Sequence, residues 1–142
     1  MITTQKFCVP LKVYYDKSCP LCATEMDALQ ELDWRGRLEL VDCSAAGFED
    51  WVAAGEGVSR EAMMTRLHAR DPEGRWLKGL DAFEAVYAAA GLDRAAGFWG
   101  SKTLRPVLGR IYAVVARFRQ PLSRLGLHRL VGPLIRAGGR RY

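Results

Sequence analysis

Leu11-Lys12-Val13-Tyr14-Tyr15-Asp16-Lys17-Ser18-Cys19-Pro20-Leu21-Cys22 runs from an apolar, β-prone segment through a polar turn into a Cys-x-x-Cys pair. Leu11 to Tyr15 has the composition of a buried strand. Ala23 to Leu32 reads as a helix, with Met26, Leu29 and Leu32 on one face. The two cysteines therefore fall at a strand-to-helix junction. Unpaired N–H groups in the first helical turn and the positive end of the helix dipole favour thiolate over thiol there. Thiolate is the species that attacks a disulfide, so the placement points to dithiol–disulfide exchange.

The two thiols are expected to differ in role. Cys19, at or just before the first turn, is expected to lie within reach of solvent and to attack. Cys22, one turn further in on the same face, is expected to be more buried and to resolve the mixed disulfide. Pro20 lacks an N–H and its φ suits the first turn, so it costs the helix little. Asp16 and Ser18 are both in position to cap the helix. A carboxylate so close would accept protons, and would also raise a thiol pKa by repulsion.

Outward from the junction, Leu38 to Cys43 alternates enough to be a second strand, and a compact β-α-β unit favours a parallel pair. Met63 to Ala69 and Arg75 to Lys78 read as a hairpin about Asp71-Pro72-Glu73-Gly74. Asp81 is expected to cap a helix through Ala90 that Gly91 ends. The order β-α-β-(α)-β-β-α is that of the thioredoxin fold, an α/β class with a mixed sheet flanked by helices. Beyond Gly100 the pattern is helical, with Leu104, Val107, Leu108, Ile111, Val115 and Phe118 on one stripe. Pro121 is expected to break that helix and Pro133 to interrupt a second. The expected organisation is a dithiol domain over residues 1–100 and a basic helical extension over 101–142, packed on the same domain.

A chain of 142 residues with 49% hydrophobic content has enough material for a packed core without staples. No run approaches the roughly 18 apolar residues of a membrane-spanning helix. The first residues lack the pattern of a secretory signal, so a cytoplasmic location is expected, with peripheral attachment to a membrane as its variant. Thiols stay reduced there, and four cysteines then read as catalytic, metal-binding or merely buried. Cys43 is expected to be a small buried hydrophobe, Cys8 an exposed accessory thiol and His68 a surface histidine on the polar face of the hairpin.

The alternative is a non-enzymatic interaction protein whose dithiol senses redox state or binds zinc, and zinc's further ligands would have to come from Cys8, Cys43, His68 and His128, which share no metal-binding spacing. Charge is divided along the chain: residues 1–93 carry 10 basic and 16 acidic side chains, and residues 94–142 carry 11 basic and none acidic. The basic tail has three readings: a helix packed on the sheet with solvated arginines, a helix on an anionic membrane surface, or a nucleic-acid binder without any recognisable motif.

Tyr15-Asp16-Lys17-Ser18-Cys19-Pro20-Leu21-Cys22 with Glu25 resembles the opening motif of the DCC-type (Asp-x-x-Cys-x-x-Cys) thiol-disulfide oxidoreductases. Gly79-Leu80-Asp81-Ala82-Phe83 is similar to that family's Gly-x-x-Ala-Phe, and Tyr112 to Arg119 to its C-terminal Tyr-x-x-Ile/Val-Ala-x-x-Arg. The resemblance spans about Val13 to Arg119 and implies a thioredoxin-like, oxidoreductase protein with Cys19 and Cys22 as its redox pair. Its partners would be a disulfide substrate and an electron-donor protein or small thiol, with no tightly bound organic cofactor and no metal. Lys17 stands where the family commonly has Gly, which bears on the approach to Cys19. Thioredoxin-like enzymes carry a cis-proline before the third strand; Ser59 to Met64 contains none, and a trans backbone is expected because a non-proline cis bond costs about 3 kcal/mol. Arg60, Met63 and Met64 are expected to flank the dithiol and, with Lys17, to touch substrate.

Overall fold

The computed structural model of the chain describes residues 7–33, 35–124, 126 and 128–139. Its elements are β1 (Leu11–Tyr15), α1 (Pro20–Leu32), β2 (Leu38–Asp42), α2 (Trp51–Gly55), α3 (Arg60–Thr65), β3 (His68–Arg70), β4 (Trp76–Lys78), α4 (Leu80–Ala89), α5 (Asp93–Trp99), α6 (Arg105–Arg124) and α7 (His128–Gly139). The four strands form one mixed sheet in the order β2-β1-β3-β4. β2 runs parallel to β1, with Leu11 opposite Leu38 and Tyr15 opposite Asp42. β3 is antiparallel to both β1 and β4. Helices flank this sheet, and the arrangement is thioredoxin-like.

β1 occupies the centre because its side chains serve both faces. Leu11, Val13 and Tyr15 enter the main core with Met26, Leu29 and Val86. Tyr14, pointing the other way as strand alternation requires, enters a second cluster with Cys43, Ala53 and Met63. The Tyr14 hydroxyl donates to the Asp50 carboxylate (2.5 Å), which also caps α2 by accepting the Ala53 N–H (2.9 Å).

Several elements depart from the pattern read in the sequence. The run from Met63 does not start a strand: α3 covers Arg60–Thr65 and β3 begins only at His68. Its N-terminus explains this, because the Ser59 hydroxyl accepts the Ala62 N–H (3.1 Å) and Glu61 lies in the first turn. A capped helix start has won over the start of the alternating run, taking Met63–Thr65 into α3. His68 is buried rather than exposed. Its Nδ1 lies 2.9 Å from the Arg66 carbonyl, its ring meets Trp76 edge-on, and burial holds its pKa below the usual range.

α4 starts from Gly79, whose φ of +61° suits glycine, while Asp81 sits in the first turn and takes the Arg105 guanidinium (2.5 Å) instead of capping. α6 continues through Pro121 and absorbs it as a kink at Phe118 (φ −107°, ψ 16°), next to the Arg117 carbonyl that Pro121 has no N–H to satisfy. α7 likewise runs through Pro133.

The hairpin turn is held by Asp71. Its buried carboxylate accepts the N–H groups of Cys8 (3.1 Å), Glu73 (3.0 Å) and Arg75 (2.9 Å) and the Arg75 guanidinium (2.8 Å). Burial opposes ionisation, but these donors outweigh it and hold the Asp71 pKa below the usual range. That stability is present above the unfolded pKa and is lost as pH falls through the folded one. Asp71→Asn is expected to cost about 2 kcal/mol at neutral pH, read as a lower denaturant midpoint, with the gap to the parent narrowing below about pH 4.

The C-terminal helices lie on the rest of the fold. α7 approaches α1 so closely that a Cβ on Gly132 would stand 3.2 Å from Thr24, and Arg136 pairs with Glu31 (2.8 Å). From α6, the Tyr112 hydroxyl accepts the Leu67 N–H (3.1 Å). Among the described residues, no helix is long and apolar enough to cross a membrane.

Candidate active site

Asp16, Lys17 and Ser18 turn the chain from β1 into α1. The buried Asp16 carboxylate folds that turn, accepting the Ser18 N–H (2.9 Å) and hydroxyl (2.5 Å). The exposed Lys17 ties the turn to the next strand, its N–H donating to Asp42 (3.2 Å). The N-cap position expected of Asp16 or Ser18 is held by Cys19 itself, with extended backbone (φ −86°, ψ 112°), and Pro20 takes the first helical position.

The exposure of the two thiols is the reverse of the sequence expectation. Cys19 is wholly buried and Cys22 is half-buried, and neither is in a disulfide. The Cys19 N–H bonds back to the Asp16 carbonyl (3.3 Å), so the turn draws the N-cap residue into the molecule. Cys22, one turn on, lines a cleft of about 290 Å³.

That cleft draws its walls from distant parts of the chain. α1 contributes Cys22, Glu25 and Met26, and the segment ahead of β3 contributes Thr65, Arg66 and Leu67. Phe83, Tyr87 and Trp99 form an aromatic side, with Phe83 stacked on Trp99 at 5.0 Å and edge-on to Tyr112 at 5.4 Å. α6 closes the cleft with Ile111, Tyr112 and Val115. Gly79 and Phe83 from one sequence motif and Tyr112 from another thus meet at one place: Tyr112 lies 3.7 Å from where a Gly79 Cβ would be, and its ring is edge-on to Phe83. The C-terminal segment is part of the site.

Glu25 is the residue that sequence reasoning left without a role. It accepts the Tyr87 hydroxyl (2.7 Å) across 62 positions of chain. Burial, reinforced by the charge of the Cys19 sulfur, pushes its pKa up to about 7 against the lowering effect of the Tyr87 hydroxyl. A carboxyl near pKa 7 exchanges protons readily at neutral pH. The available signal was a lone acid one turn beyond Cys22 on a helix face that continues into Met26 and Leu29.

Of the residues expected to flank the dithiol, Met63 does line the cleft. Arg60 does not reach it; its guanidinium donates to the carbonyls of Cys43 (2.8 Å) and Ser44 (3.4 Å) beyond β2. Met64 packs against the cluster on the Tyr14 side of the sheet. The physical reason is α3: a helix where a strand was expected keeps Arg60 and Met64 off the cleft, and the extended segment that lines it is Arg66–Leu67. Cys43 is the buried thiol expected, with its pKa pushed up to about 12 by burial and the Asp42 charge.

Among the described residues, the His, Cys and carboxylate groups that converge at metal-ligating distances are Cys8, Asp71 and Glu73, away from the dithiol. Cys8 is half-buried rather than exposed, and the Arg75 guanidinium bonds to both its sulfur (3.2 Å) and Asp71. A cation already occupies that cluster.

The chain is similar to an uncharacterized chloroplastic protein of Arabidopsis thaliana, 29% identical over 112 residues, or 77% of this chain. The chain spans about half the length of that relative. No solved structure matches it. The model of the DCC1-like thiol-disulfide oxidoreductases matches residues 13–125, from β1 to the end of α6, and takes in both cysteines and every wall of the cleft. The chain belongs to the DCC1-like thiol-disulfide oxidoreductase family.

Proposed function

We propose that the protein exchanges the Cys19–Cys22 dithiol with disulfides that carry apolar substituents, Cys22 meeting the substrate and Cys19 closing the bridge. The observation that carries this reading is the unequal burial of the pair, with Cys22 open to an apolar cleft and Cys19 wholly buried, near enough to Glu25 for its charge to raise that carboxyl's pKa. The Cys22 thiolate attacks one sulfur of the substrate, forming a mixed disulfide and expelling the first thiolate, which takes up the Cys22 proton. Cys19 then attacks the Cys22 sulfur and expels the second thiolate. The Cys19 proton passes to Glu25, whose pKa of about 7 fits it to accept the proton and hand it on. Two thiols and one disulfide become one disulfide and two thiols. An external dithiol protein or small thiol returns the electrons.

The lining favours apolar groups. Phe83, Trp99, Leu67 and Val115 offer carbon surface, and Arg66 is the cation among the lining residues. A disulfide bearing several carboxylates would lose its hydration there with little compensation. Asp16, Ser18 and Pro20 support the pair by shaping the turn, and Lys17 stands at the exposed approach.

Thiol trapping across a series of redox buffers, with metal content measured on the same samples, tests the reading. We expect metal-free protein whose Cys19–Cys22 pair titrates as a two-electron couple between about −270 and −120 mV. Stoichiometric zinc, or thiols that never form the bridge, would replace exchange with a metal-binding or scaffold role.

A further inference from the structure

Among the described residues, one long surface of α6 has no partner. Leu104, Val107, Ile111, Val114 and Phe118 follow one another at alternating spacings of three and four, which places them on one narrow stripe. Each is exposed, from 40% at Leu104 to 57% at Val107. The inward side of the helix is already occupied, with Leu108 buried and Tyr112 and Val115 in the cleft. The tail's apolar residues are therefore only partly spent on the core. α7 adds Leu130 and Leu134, both more exposed still.

Charge restricts what can cover this surface. Exposed Arg110 and Arg117 flank the stripe, and the Arg117 guanidinium lies 5.6 Å over the Phe118 ring. From residue 94 to the C-terminus there are 11 basic side chains and no acidic one. A second copy laid along the stripe would bring these arginines against each other with no carboxylate on either α6 to answer them. Of the acids near this region, Asp81 and Glu84 face Arg105 and Glu31 holds Arg136. The surface fits a layer that is apolar inside and anionic at its face.

We propose that α6 docks the protein on an anionic lipid bilayer, with the Leu104–Phe118 stripe in the acyl boundary and the arginines among the headgroups. Ile111 belongs to both the stripe and the cleft wall, so docking sets the cleft beside the lipid.

The test is flotation of the full chain with vesicles of phosphatidylcholine alone or mixed with phosphatidylglycerol. We expect binding to the mixed vesicles at least about tenfold tighter than to the neutral ones, weakening as salt is raised. Val107→Asp with Val114→Asp should abolish it while circular dichroism keeps the parent's helix signal. Cys19→Ser should bind like the parent, which separates this result from the fate of the exchange reading. Three results would overturn the proposal: no vesicle binding at low salt, as for a surface that serves an acidic protein; equal binding to both vesicle types; or undiminished binding of the double Asp variant.

Discussion

A Cys19→Ser variant treated with a neutral aromatic disulfide is expected to stop as a stable mixed disulfide on Cys22, and Cys22→Ser is expected to form no adduct at the pair. Either change should lower turnover roughly a thousandfold or more, because the two sulfurs act as a unit. The asymmetry follows from burial: a reagent in the cleft reaches Cys22 first, whereas Cys19 has no exposed surface. Serine is close in size to cysteine, so the cleft should survive the exchange. The measurement is intact mass followed by peptide mapping, in a Cys8→Ser background that removes the half-buried thiol beside Arg75. An adduct on Cys19 in the Cys22→Ser protein would reverse the order of attack and leave exchange standing. No adduct on either variant would remove exchange itself.

Glu25→Gln is expected to stabilise the protein at pH 8 by about 3 kcal/mol and at pH 5 by less than about 1 kcal/mol. The folded state raises this carboxyl from 4.5 to about 7. Between those values the folded protein binds more protons than the unfolded chain, so stability falls as pH rises through the window. Glutamine has no charge to desolvate and keeps an oxygen to accept the Tyr87 hydroxyl. Denaturant midpoints at the two pH values check the prediction; equal effects at both would mean that Glu25 stays ionised in the cleft. The same variant should slow closure of the Cys19–Cys22 bridge while leaving the first adduct on Cys22 nearly unchanged. A residue with only a structural role would not divide the two steps.

Local chemistry was readable wherever neighbours in sequence are neighbours in space. The strand-to-helix junction, the parallel β-α-β unit and the Asp71–Gly74 turn all follow from periodicity and turn residues within about ten positions. Even there, competing local signals misled. Ser59 and Glu61 start a helix where alternation suggested a strand, and that shift carried Arg60 and Met64 away from the dithiol. His68 shows the same limit from another direction. Its alternation was legible, but which face β4 and Trp76 would cover was not.

From the order of its residues alone, this protein acquired a dithiol at a helix start, a mixed sheet around β1 and a basic tail with an apolar stripe. Tertiary structure alone decided which thiol faces the cleft, that Glu25 sits with Tyr87, that Gly79, Phe83 and Tyr112 meet, and that α6 spends only one side on the core. The physical reason is desolvation. Helix and strand periods come from bonds between residues a few positions apart, whereas the exposure of a thiol and the charge of a carboxyl depend on segments that fold back from far along the chain, as Tyr87 does to Glu25 across 62 positions.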